Sequence, residues 1–242
     1  MADVIAHRGP DDEGFYEALA DNKKTHVGLA HRRLSIIDLH GGHQPIGNED
    51  NSIQLVFNGE IYNYQSLRTD LIAKGYNFKT DSDTETIVHA YEEYGHNCVD
   101  HLRGMFAFAI WDANKEELFL ARDRFGKKPL FIFRQDNSLI FASEIKSILQ
   151  YKNYQRKVDL SSVWEYLSYR YAPGPDTLFK DIYKLSPGSC GLWKSGEFKQ
   201  WSYYTPPDFY SSDSIIEIND PVEAFLNKLD ESVRIRMVSD VP

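Results

Sequence analysis

The sequence predicts an α+β fold built on a mainly antiparallel sheet, on two observations. Apolar segments of strand length come in pairs joined by short turns, and the two clearest helical patterns sit together in one block instead of alternating with strands, as a doubly wound parallel sheet would require. The pattern turns apolar over residues 26–37 and again over 53–57, and each segment reads as a strand. Asn63 stands where it would cap a helix carrying Leu67, Leu71 and Ile72 on one face, and Gly75 stands where a left-handed residue ends one. Ser82-Asp83-Thr84-Glu85 has the form of a capping box, with Ile87, Val88 and Tyr91 following at helical spacing as far as Gly95.

Residues 105–111 and 118–121 are apolar strands around the turn Asp112-Ala113-Asn114-Lys115. Residues 130–133 and 139–142 form a second pair around Asp136-Asn137. Residues 205–220 are rich in Pro, Ser and Asp and read as a linker. Asp220 and Pro221 then open a helix whose apolar residues Val222, Phe225, Leu226, Leu229, Val233 and Met237 form a stripe, with Arg234 and Arg236 at its C-terminal end. Such a stripe needs a partner surface, which the remaining residues are too few to supply.

At 242 residues, 42% hydrophobic and 14% aromatic, the chain can bury a sizeable core. Its net charge of -9 opposes general affinity for nucleic acid or acidic membranes. No stretch of about 18 apolar residues points to a membrane span, nor do the first residues have the apolar core of a signal peptide, so a cytoplasmic location is expected. Cys98 and Cys190 lack metal-site spacing and are expected as unpaired thiols; Cys98 has His96 and His101 nearby, but nothing orients a nucleophilic pair. His40-Gly41-Gly42-His43 has no evident third ligand, so no metal is expected there. Arg122-Asp123-Arg124-Phe125-Gly126-Lys127-Lys128 reads as a solvated turn.

The stretch Leu55-Val56-Phe57-Asn58-Gly59-Glu60-Ile61-Tyr62-Asn63 carries the most chemistry. Asn offers an amide donor, Gly allows close approach of its N–H, and Glu can hold an ammonium, while the same Asn-Gly pair after a strand also reads as a hairpin turn. Arg33 is either a surface residue or a clamp for a carboxylate, and Asp83 either complements a helix dipole or binds a cation. Arg33, Glu60 and Asp83 together match the charges of a free amino acid.

Taken in order, His7-Arg8-Gly9-Pro10-Asp11, Arg33-Leu34-Ser35-Ile36-Ile37-Asp38, Phe57-Asn58-Gly59-Glu60-Ile61-Tyr62-Asn63, Ser82-Asp83-Thr84-Glu85, Arg103-Gly104-Met105-Phe106-Ala107-Phe108 and Arg122-Asp123-Arg124-Phe125-Gly126 resemble the glutaminase domain of glutamine-hydrolysing asparagine synthetases. The resemblance covers about residues 7–204. It implies an N-terminal-nucleophile hydrolase fold, an αββα sandwich of two mainly antiparallel sheets, that releases ammonia from glutamine by attack of an N-terminal cysteine. By the same resemblance Asn58 and the Gly59 N–H form an oxyanion hole. Arg33 binds the substrate carboxylate, Glu60 and Asp83 hold its ammonium, and Leu34, Ser35, Ile36 and Ile37 line the pocket. It implies residues 1–204 as glutaminase, 205–220 as linker, and 221–242 as the first helix of an ATP-dependent synthetase domain. No cofactor is implied for this portion, and ATP and magnesium for the synthetase. Expected partners are glutamine, that domain and, optionally, a second copy, with neither nucleic acid nor membrane among them.

The family's cysteine and first strand precede the His-Arg-Gly-Pro-Asp motif by a few tens of residues, whereas six residues precede His7 here. The expectation is a chain that does not hydrolyse glutamine alone, and strands flanking an unfilled place that are poorly soluble or borrow pairing from another chain. Two alternatives are a non-catalytic amino-acid-binding or regulatory module, and the glutaminase of a different amidotransferase.

Overall fold

The computed structural model describes residues 1–20, 25–38, 41–207 and 218–240. A 3₁₀ turn, Asp3–Arg8, leads into the hairpin β1 (Asp12–Leu19) and β2 (His26–Arg33). The central layer is a six-stranded sheet of β3 (Ile46–Gly47), β4 (Ile53–Ile61), β5 (Gly104–Asp112), β6 (Glu117–Arg122), β10 (Ser189–Lys194) and β11 (Glu197–Ser202), in the order β11-β10-β6-β5-β4-β3. A three-stranded sheet has the order β8-β7-β9, from β7 (Phe131–Gln135), β8 (Ser138–Ala142) and β9 (Ile182–Lys184). Every strand pairing among the described residues is antiparallel, as expected.

Period-two burial sorts the side chains of the central sheet into two cores. Leu55, Phe57, Ile61, Phe106, Phe108 and Phe119 pack against α1 (Tyr64–Ala73) and α2 (Asp83–Tyr94) through Leu67, Leu71, Ile87, Val88 and Tyr91. The alternate residues Val56, Ala107, Ala109, Trp111 and Leu120 face the second strand layer through Leu29, Leu130 and Ile132. Beyond that layer, Phe133 and Ile182 meet the short helix α3 (Ile145–Ile148) and Tyr154. The sequence of layers is helix, sheet, sheet, helix, an α+β sandwich whose second strand layer is divided between the β1-β2 hairpin and the β7-β9 sheet.

Several local expectations are corrected. The strand expected over 26–37 ends at Arg33, and the one expected over 53–57 continues through Asn58, Gly59 and Glu60 to Ile61, which removes the hairpin-turn reading. Asn63 does not cap α1: its amide donates to the His101 carbonyl at 2.9 Å and its oxygen accepts from the Arg103 N–H at 2.8 Å. Ile72 faces solvent while Leu67 and Leu71 are buried. Ser82 caps α2 by accepting from the Thr84 N–H, but Glu85 does not complete the box. Its carboxylate instead accepts from the N–H groups of Lys79 and Thr80, fastening the preceding loop.

The turn at 122–128 is not simply solvated. Asp123 is buried and accepts from the N–H groups of Phe106, Phe125, Lys127 and Lys128, while the Arg122 guanidinium donates to the carbonyls of Gly126, Lys128 and Leu185. The helices α3 and α4 (Leu160–Tyr169) and strands β1, β3, β9, β10 and β11 have no counterpart among the elements that periodicity predicts. The linker expectation at 205–220 lies largely outside the described residues, as does His40; His43 pairs with Asp12 at 2.7 Å. The final helix α5 (Pro221–Arg234) is capped by Asp220, which accepts from Val222 and Glu223, and its apolar stripe is exposed. No helix of the described residues is long and apolar enough to cross a membrane.

Candidate active site

One cavity of about 410 Å³ gathers Arg33, Leu34, Ile36, Ile37, Asn58, Gly59, Glu60 and Asp83, together with Gln44, His31 and Lys128, which the sequence did not single out. Ser35 is not on its wall; its N–H donates to Asp11 at 2.8 Å. Neither Cys98 nor Cys190 reaches the cavity: both are free, buried thiols, and burial raises both, Cys190 to about 12.

The site rests on the alternation of β4. Its register pairs Gly59 with Phe106 of β5, yet the Phe106 N–H and C=O both turn to Asp123 on the far side, at 3.2 and 2.8 Å. The Gly59 pair is therefore a non-hydrogen-bonded one, and residues 57, 59 and 61 direct their backbone polar groups away from β5. Two of the three N–H groups are taken. The Phe57 N–H donates to Gln44 Oε1 at 2.7 Å and the Ile61 N–H donates to Asp83 Oδ2 at 2.9 Å. Between them the Gly59 N–H is left to a ligand. A Cβ at position 59 would lie 2.1 Å from the Met105 carbonyl oxygen, so the strand approaches β5 at a distance only glycine permits.

The side chains alternate likewise. Phe57 and Ile61 enter the helix-facing core, and Asn58 and Glu60 line the cavity on the other face. Asp83 is delivered from the first turn of α2, and the bond it accepts from Ile61 ties that helix to the strand bearing Asn58 and Glu60.

Arg33 lines the same cavity from the end of β2. It is buried, and one terminal nitrogen donates to the carbonyls of Ile37 and Asp38 at 3.0 and 2.6 Å. Those bonds curl residues 34–38 over the guanidinium and leave its other N–H groups for a carboxylate. Asp38 fixes the loop from outside: its carboxylate accepts from the N–H groups of Gly41 and Asp81 at 2.8 and 3.0 Å. Asp240, beyond α5, accepts from the Asp38 N–H at 2.7 Å, and its own N–H donates to the Ile36 carbonyl.

Burial and the neighbouring Asp83 charge raise Glu60 to about 7, against the pull of Lys128. Burial raises Asp83 to about 6 although the Ile61 N–H, Thr84 and Arg33 favour its charge. A buried carboxyl beside a half-buried one, both resisting ionisation, is an arrangement that an ammonium would relieve. Burial depresses His31 to about 4, so near neutrality it is uncharged and its Nε2 donates to the Phe57 carbonyl at 2.9 Å.

Away from this cavity, ligand atoms of Glu49, His89 and Glu92 lie within 4.8 Å of one another. Burial would lower His89, but Glu85 and Glu92 outweigh it and raise the imidazole to about 9. A charged imidazolium between carboxylates opposes a metal ion there.

The layered architecture is shared with a solved amidotransferase. Glutamine phosphoribosylpyrophosphate amidotransferase from B. subtilis superimposes with a TM-score of 0.57 over 84% of this chain and 45% of its own, at 19% identity, a likeness of fold. Residues 1–204 match the description "Glutamine amidotransferase domain", and the chain belongs to that family. Asparagine synthetase [glutamine-hydrolyzing] 1 of Bacillus subtilis (strain 168) is 39% identical over 247 residues, covering all of this chain and 37% of the relative. Amidase chry2 of Gibberella zeae is 38% identical over 99% of this chain and 35% of its own. The chain thus spans little more than a third of the length of these relatives.

Proposed function

We propose that this chain is the glutamine-hydrolysing portion of an asparagine synthetase-like enzyme, with residues 1–204 forming the glutaminase and α5 opening the portion that uses ATP and magnesium to pass ammonia to aspartate. The observation that carries this reading is that one cavity is lined by buried Arg33, by Glu60 and Asp83, and by Asn58 and Gly59. Arg33 takes the α-carboxylate of glutamine and the two acids take its ammonium. Held at both charged ends, the substrate presents its side-chain amide to Asn58 and Gly59, whose donors meet the oxygen as it becomes an oxyanion; such a donor is worth roughly 2.7–4 kcal/mol of transition-state stabilisation. Leu34, Ile36 and Ile37 supply the wall along the substrate's backbone end, and Ser35 supports them from behind. The attacking thiol is neither Cys98 nor Cys190, which are buried elsewhere.

The test is calorimetric titration of the chain with L-glutamine and L-glutamate. Saturable one-to-one binding, lost in Arg33→Met and Asp83→Asn and not reproduced by glutarate, which lacks the ammonium, supports the reading. Equal affinity for glutarate would overturn it. The chain covers only part of its relatives, and those include an amidase as well as synthetases, so the ammonia acceptor is assigned from the asparagine synthetase relatives.

A further inference from the structure

Strand β3 pairs with β4 only through Ile46 with Leu55 and Gly47 with Gln54, so beyond Leu55 the outer edge of β4 has no neighbour among the described strands. The backbone groups that alternation turns outward along this stretch belong to Phe57, Gly59 and Ile61. Side chains stand in for the missing ladder at the first and third of these places. Asp83, from α2, meets Ile61, and Gln44, just before β3, meets Phe57.

Gln44 does more than satisfy one amide. It is 5% exposed, and because its oxygen accepts from the Phe57 N–H at 2.7 Å, its nitrogen is the end turned to α2, 3.5 Å from Thr84 Oγ1. The Thr84 hydroxyl in turn lies 3.4 Å from Asp83 Oδ1, while Asp83 Oδ2 accepts from the Ile61 N–H at 2.9 Å. A continuous bridge therefore runs from Phe57 through Gln44, Thr84 and Asp83 to Ile61, and the Gly59 N–H stands in the strand between its two ends. The Phe57 carbonyl is held as well, by His31 Nε2 at 2.9 Å. Gln44 is itself fixed by β1, whose backbone comes so near that a Cβ on Gly14 would lie 2.0 Å from the Gln44 carbonyl oxygen.

We propose that Gln44 is a positioning residue for the amide end of the pocket: by pinning the residue before Asn58, it sets the aim of the Asn58 side chain and of the Gly59 N–H. It acts through β4 and α2 and not on the substrate. Without its oxygen the buried Phe57 N–H must find another partner, which shifts the strand one residue before the two donors. A misplacement of about 1 Å at such a place costs on the order of a hundredfold in a reaction. The inference rests on the glutamine reading of the cavity and deepens it.

The experiment compares L-glutamine with L-norvaline, which has the same carbon skeleton, carboxylate and ammonium but no side-chain amide. Calorimetry gives the ratio of their affinities, in which effects at the charged end cancel. Asn58-Gly59 is the single Asn-Gly pair in the sequence, so a chain isotopically labelled at the asparagine carbonyl carbon and the glycine nitrogen shows the Gly59 amide as one resonance. In the parent, glutamine is preferred and shifts that resonance, and norvaline does not. Gln44→Met, matched in length but lacking the acceptor, reduces the preference by about fivefold or more and abolishes the shift, and Gln44→Glu, which returns an oxygen to the Phe57 N–H, restores both. Where Gln44→Met does not fold, Gln44→Asn, one methylene short of Phe57, gives the same reading. Preference and shift that survive in folded Gln44→Met or Gln44→Asn overturn the positioning role, as does equal weakening of both ligands or a Gln44→Glu chain no better than Gln44→Met. A parent that binds no glutamine overturns the glutamine reading and this inference with it, so the parent alone tells the two failures apart.

Discussion

Asp83 Oδ2 accepts the Ile61 N–H at 2.9 Å, joining the first residue of a helix to the strand that carries Asn58, Gly59 and Glu60. One carboxylate thereby serves as a structural acceptor and, in the proposed function, as half of the ammonium receptor. The two duties separate by substitution. Asp83→Ala leaves the Ile61 N–H buried and unpaired and lowers stability by about 1–3 kcal/mol, while loss of a charge-assisted bond weakens glutamine by roughly ten- to a hundredfold. Asp83→Asn keeps an acceptor and removes a charge that burial opposes, so it keeps the parent's stability and still loses affinity. Urea unfolding and calorimetry on both variants check the split.

The raised carboxyls set a pH dependence with opposite signs for stability and binding. Glu60 at about 7 and Asp83 at about 6 both lie above their unfolded values, so their contribution to stability is full below about pH 4 and is lost as pH rises through about 6 to 7. Ammonium binding needs the charged forms, and affinity for glutamine therefore rises, by roughly tenfold or more, between about pH 5.5 and 7.5. Titration in buffers of different ionisation enthalpy should show proton release on binding near pH 6.5, and a flat profile would remove the two acids from the site.

Gly59→Ala places a methyl group against the Met105 carbonyl and the Phe106 backbone. The expected cost is about 1–3 kcal/mol in urea unfolding, with weaker binding of any ligand that uses the Gly59 N–H. Unchanged stability would mean that β4 and β5 separate more easily than their register implies.

His89 is charged inside the protein, between Glu85 and Glu92, at 1% side-chain exposure. Its raised value of about 9 gives stability that is full below about pH 6.5 and is lost as pH rises through about 9. His89→Ala takes the counter-charge from Glu85 and Glu92, which keep their bonds to the Lys79 and Thr80 N–H groups and to Asn48, and lowers stability by about 1–3 kcal/mol near neutrality. The gap between parent and variant in thermal unfolding should close above pH 9.

What the sequence revealed followed periodicity and turn chemistry. The apolar segment at 53–57 marked β4, though not its continuation to Ile61 that sets Asn58 and Glu60 on one face, and the spacing from Ile87 to Tyr91 marked α2. What it hid depended on partners distant in the chain. Gln44 reaches the Phe57 N–H across 13 residues in a segment with no period of its own. Asp123 looks like any turn acid until Phe106, 17 residues away, is seen to donate to it. Glu85 has the spacing of a capping residue, yet the Lys79 and Thr80 amides, made available by the preceding loop, compete successfully for its carboxylate.

The short contact between Asp240 and the loop at Ile36 and Asp38 ties the segment after α5 to the shell around Arg33. Tension on that segment is therefore tension on the loop that curls over Arg33. Pulling Asp240 outward frees the Ile36 carbonyl and the Asp38 amide, and by reciprocity a ligand that stiffens this loop resists the pull with the same free energy. Occupancy of the cavity and the posture of the segment at Asp240 are two readings of a single balance.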